Sequence, residues 1–277
     1  MTQTTQEQKA KAFRALHERD GAFIIPNPWD AGTARLLTAL GFEALATTSL
    51  GLANTLGRID GSGAVTREEV LENCARIAAA THLPVSADLE NCYAHEPRAA
   101  AELIRLAAEA GVVGGSIEDA TGDPGKPIYD FELAVERVHA AVETARSLPF
   151  PFTLTARAEN FLHGRRDLDD TIRRLQAFEK AGADVLYAPG LRDLATMRSV
   201  VSSVSKPVNV VMSTADPALS ASDLAKVGVK RISIGGSLSR LTLAFVIKAA
   251  REMKEEGRFT WMTQAVPTKE LNRFFEC

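Results

Sequence analysis

Carboxylates recur in this sequence at the ends of short apolar runs, and they come in groups. Asp88 and Glu90 close the run 85–90, Glu118 and Asp119 close 114–119, and Arg157 with Glu159 closes 152–159. In an extended segment, residues two apart point to one face. Asp88 with Glu90, and Arg157 with Glu159, are therefore expected to share a face. Like charges a few ångströms apart raise each other's pKa unless a cation intervenes. A hard divalent ion with oxygen ligands is the natural occupant, and Mg²⁺ usually keeps several waters of its own. The expected cofactor is thus Mg²⁺, with Mn²⁺ as the substitute. The five histidines, His17, His82, His95, His139 and His163, are dispersed, which disfavours zinc or iron.

These groups converge only if the runs that carry them lie side by side. The chain repeats an amphipathic helix, a glycine and a short apolar run, as at Gly41, Gly111, Gly182 and Gly228. Each glycine stands where a helix C-terminus takes a positive φ. Other runs are entered through proline, at Pro84, Pro151 and Pro207, where no backbone donor is needed. Strands are predicted at 23–25, 44–49, 85–90, 114–119, 152–159, 185–189, 208–212 and 231–236, each followed by a helix. Continuously apolar strands flanked by helices imply a parallel sheet covered on both faces. Eight such units favour an α/β fold of the (β/α)₈ barrel type, one domain over 1–277, with chemistry at the C-terminal strand ends. No G-x-G-x-x-G follows the first strand, which argues against a dinucleotide fold.

Composition narrows the class further. The 277 residues are 45% hydrophobic and 24% charged, with a net charge of −3, an ordinary globular balance. No basic stripe invites nucleic acid, and no run of ~20 apolar residues suits a membrane. The polar segment 1–19 reads as a helix rather than a secretory signal. Three cysteines, Cys74, Cys92 and Cys277, form neither a disulfide framework nor a zinc motif. A reducing cytoplasm is the expected compartment.

Several segments together resemble the isocitrate lyase/phosphoenolpyruvate mutase superfamily over nearly the whole chain. Asp88-Leu89-Glu90-Asn91-Cys92-Tyr93-Ala94 resembles the family's Asp-x-Asp-x-Gly-Tyr-Gly. Ser116-Ile117-Glu118-Asp119 resembles its Ile-Glu-Asp run, and Thr155-Ala156-Arg157-Ala158-Glu159 its Ala-Arg-x-acid run. Gly57-Arg58-Ile59-Asp60 matches a loop whose acid lies near the metal. The resemblance implies that Asp88 binds Mg²⁺ while Asp60, Glu90 and Glu118 hold its water shell. It implies that Arg157 clamps a substrate carboxylate and that Thr48 and Ser49 bind a pyruvyl-type head. Tyr93 and Asn209 are further substrate-binding candidates; Asp60, Glu118 and Arg157 are the catalytic ones. The implied protein is a homodimer or homotetramer exchanging its last helix. The implied reaction is C–C cleavage of a small 2-oxo or 2-hydroxy carboxylic acid through an enolate.

The chain also departs from that pattern. The lyases carry Lys-Lys-Cys-Gly-His after strand 4, whereas this chain reads Ala120-Thr121-Gly122-Asp123-Pro124-Gly125-Lys126-Pro127, with neither Cys nor His. The phosphonate enzymes carry a Lys- and Asn-containing loop there, and here only Lys126 answers to it. A phosphonate C–P enzyme and a weakly catalytic oxo-acid binder are the alternatives. Segment 120–129 is the expected lid. Cys92 reads as a small turn residue, Asp30 as a helix cap, and Ser237, after Gly235-Gly236, as another. Arg165 and Arg166 read as a solvated helix entrance or a reader of a second carboxylate.

Overall fold

In the computed structural model, which describes residues 4–276, the eight apolar runs pair in one parallel sheet. The strands are β1 (Phe23–Ile25), β2 (Leu45–Ala46), β3 (Val85–Asp88), β4 (Gly114–Glu118), β5 (Thr153–Arg157), β6 (Val185–Tyr187), β7 (Val208–Val211) and β8 (Arg231–Ser233). Their order is β1-β8-β7-β6-β5-β4-β3-β2. Between β1 and β2 a single bond, Ala46 N–H to the Pro26 carbonyl at 3.0 Å, brings the barrel close to closure. The (β/α)₈ architecture expected from the repeat is therefore present.

The helices follow the predicted alternation: α1 (Gln6–Glu18), α2 (Ala31–Ala39), α3 (Ser49–Thr55), α4 (Arg67–Ala79), α5 (Pro97–Glu109), α6 (Phe131–Ser147), α7 (Leu168–Ala181), α8 (Leu194–Ser202), α9 (Ala221–Lys226), α10 (Ser237–Glu256) and α11 (Thr268–Arg273). None is long and apolar enough to cross a membrane. Gly182 ends α7 with φ +107°, and a Cβ there would lie 2.9 Å from Val142 Cγ1, so both conformation and space require glycine. Asp30 caps α2 through the Thr33 N–H at 2.7 Å, as expected. Ser237 does not cap α10: it is the first helical residue, and no side chain caps that end.

The lower end of the barrel is plugged by α1. Its apolar side buries Phe13 against the rings of His17 and Phe23, edge to face. Gln6 donates to the carbonyls of Ala108 and Val112, fixing the helix on the barrel floor. Positions 1–3 of the expected N-terminal helix, and Cys277, lie outside the described residues.

The last helix behaves differently from the others. Only Ser239 of α10 is buried, while Leu241, Phe245, Val246 and Ile247 stand exposed. On the outer face of the sheet, Ile24 of β1 is 41% exposed, although it sits in a strand whose other residues are buried. A helix that folded back over β8 and β1 would cover that isoleucine. In this chain α10 projects away, and its one substantial helix neighbour is α3.

Candidate active site

Three of the chain turns that follow strands build the upper end of the barrel. β3 stops at Asp88, two residues sooner than the sequence pattern suggests, and Glu90, Cys92 and Tyr93 all adopt positive φ of 49°, 59° and 55°. The pleat ends before Glu90, so Asp88 and Glu90 do not share a strand face as expected. Non-glycine residues in the left-handed region cost energy, and such strain collects where surrounding structure over-determines the loop. Arg137 supplies that restraint here: it is fully buried and donates to the carbonyls of Asn91, Ala94 and His95.

Arg157 stands at the centre of the mouth. Its three nitrogens each meet a different carboxylate: Nη1 to Asp88 Oδ1 at 2.9 Å, Nη2 to Glu118 Oε2 at 3.1 Å, and Nε to Glu159 Oε1 at 2.8 Å. Its guanidinium also lies 5.0 Å from the Tyr187 ring centre. Although burial opposes its charge, Glu159, Glu118 and Asp88 hold the pKa well above the ordinary arginine value. Asp88 is held on both oxygens, with Oδ2 accepting from the Ser49 N–H at 3.1 Å. Its own N–H donates to Thr47 Oγ1 at 2.8 Å.

One guanidinium does not balance this cluster. Burial pushes the Glu90 carboxyl up to about 7, with repulsion from Asp88 and Asp60 adding to it. The Glu118 carboxyl is raised well above the carboxylate range by burial, and Glu159, Asp88 and Glu90 reinforce the shift against Arg157. Asp60 lies exposed on the rim after α3, yet restricted hydration and the Asp88 charge raise it too. Excess negative charge of this kind is what a bound cation relieves. Among the described residues, no three His, Cys, Asp or Glu side chains cluster tightly enough to enclose an ion. The donor set suits Mg²⁺, which is commonly held by one or two carboxylates with water completing the octahedron.

The remaining sequence candidates fall in distinct places. Thr48 is buried and caps α3 through the Gly51 N–H at 3.4 Å. Ser49 touches the site through its backbone. Tyr93 has a buried hydroxyl with no hydrogen-bond partner, and burial beside Glu90 and Asp88 raises its pKa strongly. Asn209 sits inside the barrel and binds Ser233 and Arg231 rather than lining the mouth. Cys92 is buried and its thiol is pushed up to about 12, an inert thiol in a turn. Arg165 and Arg166 are exposed. The two amides after β8, Ile234 and Gly235, both donate to Asn27 Oδ1 at 3.0 Å and so are already used.

Sequence reasoning passed over Ser116, Tyr187, Arg231 and Ser233. All four line a cavity of about 60 Å³ that opens beside Asp88 and Arg157. The signal was available: on β4, β5 and β8 the polar residues alternate, as Ser116/Glu118, Thr155/Arg157 and Arg231/Ser233 do, which is the inward face of a barrel strand. A larger cavity of about 660 Å³ lies at the opposite end, against α1 and Pro149–Pro151. That is the face where barrels carry stability rather than chemistry.

The lid segment is folded on itself. Ala120 and Ile128 form an antiparallel bridge, and Thr121 N–H donates to the Pro127 carbonyl at 3.0 Å. Lys126 Nζ reaches Asp130 on the outer rim at 2.5 Å.

Residues 13–254 match the family model described as phosphoenolpyruvate phosphomutase. A crystal structure from Burkholderia cenocepacia, provisionally assigned as a lyase or mutase, is 58% identical, covers 98% of this chain and 97% of its own, and superposes with a TM-score of 0.95. The oxaloacetate decarboxylase of Ectopseudomonas mendocina is 30% identical over 89% of this chain and 83% of its own length. The 2-methylisocitrate lyase of Escherichia coli is 30% identical over 72% of this chain and 68% of its own.

Proposed function

The chain belongs to the phosphoenolpyruvate mutase/isocitrate lyase superfamily, and from that premise we propose that it is a Mg²⁺-dependent enzyme cleaving a C–C bond in a small 2-oxo or 2-hydroxy mono- or dicarboxylic acid. The observation that carries this reading is the surplus of carboxylates around Arg157. Asp60, Asp88, Glu90, Glu118 and Glu159 crowd one guanidinium, and the first, third and fourth of them are raised by burial, with repulsion from neighbouring carboxylates adding to it. Two relatives are named for acting on oxaloacetate, a 2-oxo dicarboxylate, and on 2-methylisocitrate, a hydroxy tricarboxylate, so both substrates are small oxygenated carbon acids.

Asp88 would hold the metal, and Asp60, Glu90 and Glu118 its waters; Mn²⁺ would serve in the same place. When bound, the ion stabilises negative charge developing on the substrate's oxo and carboxylate oxygens. Arg157 retains N–H groups beyond those given to the three acids, and its planar fork suits a substrate carboxylate. Ser49 and Thr48 bracket the same corner, with Thr48 shaping α3 and the Ser49 amide fixing Asp88. Tyr93 keeps its proton, and its hydroxyl, set beside Glu90, would donate to that carboxylate or to the reacting molecule. The α10 helix and the exposed Ile24 support exchange of the last helix with a second copy, giving a homodimer or homotetramer.

The test is a mass-spectrometric product screen. Purified protein with Mg²⁺, and again with EDTA, meets oxaloacetate, malate, alkylmalates, methylisocitrate and phosphonopyruvate. EDTA-sensitive release of pyruvate, oxalate or glyoxylate from a carbon acid is the expected result. Phosphate release from phosphonopyruvate would move the assignment to C–P chemistry. Binding of oxo acids with no turnover would leave a ligand-binding homologue.

A further inference from the structure

A second arginine is buried inside the barrel, and its charge has no carboxylate to meet. Arg231, at the start of β8, is 6% exposed. Its Nε donates to Asn209 Oδ1 at 2.8 Å and its Nη2 to Thr155 Oγ1 at 3.0 Å, both neutral oxygens. Its Nη1 has no hydrogen-bond partner. An unpaired buried cation is among the costliest groups a fold can carry. Arg137, also buried and also with one unpartnered nitrogen, Nε, is better met: it donates to three backbone carbonyls and stacks 4.3 Å from the Tyr129 ring centre. Arg231 has no such set of acceptors.

The position of Arg231 gives that spare capacity a use. It lines the cavity of about 60 Å³ that also touches Asp88 and Arg157. Asn209 locks the guanidinium by accepting from Nε while donating to Ser233 Oγ at 3.1 Å. A planar fork with free N–H groups is matched to a carboxylate.

We infer that Arg231, positioned by Asn209, is the anchor for the second carboxylate of the substrate, distinct from the one that Arg157 clamps. The inference rests on the carbon-acid reading of the mouth and deepens it: the substrate class is a dicarboxylate. Arg231 and Ser233 then form the floor of the specificity pocket, backed by Thr155 and Asn209, where ordinary barrels are packed with branched apolar side chains.

The test compares two acids that share a 2-hydroxy acid head and differ only at the far end, malate and 2-hydroxybutanoate. Affinity is measured calorimetrically with Mg²⁺ on the wild-type chain, Arg231→Met and Arg231→Lys, as Kd or, where an acid is turned over, as KM. Wild type is expected to prefer malate at least tenfold. Arg231→Met should erase that preference by weakening malate alone, and Arg231→Lys should restore part of it. Equal affinity of wild type for the two acids, or a preference that survives in Arg231→Met, overturns the subsite and leaves C–C cleavage standing. If Arg231→Met does not fold, the wild-type preference and the Arg231→Lys value still decide. A malate preference lost in the variant, alongside a silent product screen, supports the subsite while removing the cleavage reading.

Discussion

Glu118 and Asp119 are neighbours in the sequence and belong to opposite regions of the molecule. Glu118 points into the barrel mouth, where acids outnumber Arg157. Asp119 points outward, between the strands and α7, and every charge around it is answered. Its Oδ1 accepts from the Glu159 N–H at 2.8 Å and its Oδ2 from Arg174 at 3.0 Å. Arg174 in turn binds Asp170 and the Tyr129 carbonyl, Arg173 gives Asp170 a cation of its own, and Asn160 donates to Asp170 as well. Both carboxylates are buried and both are raised, Asp119 to about 6. The difference lies in matching. A balanced network holds the scaffold, and an unbalanced one is kept for something that is not part of the chain.

The strongest way to break this comparison is Asp88→Ala. It removes the acid to which both Ser49 and Arg157 are tied. Turnover in the product screen should fall by roughly 10³ or more, the scale of losing metal-based charge stabilisation. Mg²⁺ binding measured calorimetrically should vanish with it, while folding persists. Near-normal turnover would mean that the surplus charge serves no metal.

Arg174→Met attacks the balanced region instead. It strands Asp119 without its cation, and breaking a buried pair costs about 3–5 kcal/mol. Chemical denaturation should show that loss, while kcat of the folded fraction stays within a few-fold. A variant as stable as wild type but inactive would place Arg174 in the chemistry and reverse the two roles.

Much of this contrast was legible in the sequence and some was not. The eight strands follow from glycine and proline punctuation, because those residues mark the helix ends and strand entries directly. Asp88, Glu118 and Arg157 follow from strand-end position. What periodicity could not give was the end of β3: the pattern carries on to Glu90, but three left-handed residues turn the chain out of the sheet. Nor could it separate Glu118 from Asp119, since the sign of their surroundings depends on Arg174 of a distant helix. Asn209 stands out as the polar residue of an apolar strand, but its partner Arg231, the first residue of β8, opens a run whose other members are apolar or small, and only its alternation with Ser233 marks it as facing inward. Ser237 failed as a cap because Gly236, pressed against Leu50, takes the cap position itself.

Titration sharpens the comparison at Glu90. Its folded pKa of about 7 lies above the ordinary value of 4.5, so the folded chain holds a proton that the unfolded chain has lost between those limits. Stability therefore falls as pH rises through 4.5–7 and the full cost is present above 7. At about 1.36 kcal/mol per unit the cost reaches about 3 kcal/mol. In EDTA, Glu90→Gln should match wild type near pH 4.5 and exceed its stability by up to that amount at pH 8. Mg²⁺ should narrow the gap at pH 8 by stabilising wild type. Denaturation curves that stay parallel across this range would remove Glu90 from the unbalanced set.

The smallest effect concerns the lid, and it asks whether the surplus charge is met from within the chain. Lys126 is the one residue of 120–127 with a cationic side chain, and a swing inward would bring it toward the acids. In the structure it is committed elsewhere: Nζ pairs with Asp130, both side chains more than half exposed. An exposed pair of this type is worth about 0–1 kcal/mol, so Lys126→Ala should leave stability within about 0.5 kcal/mol. If the mouth is balanced by a metal rather than by the lid, kcat should change less than about threefold, since no transition-state contact is lost. A loss near a hundredfold, with Mg²⁺ affinity unchanged, would show that Lys126 leaves Asp130 during turnover. The lid would then supply a positive charge to the mouth, and Mg²⁺ would no longer be required to account for the whole of the surplus.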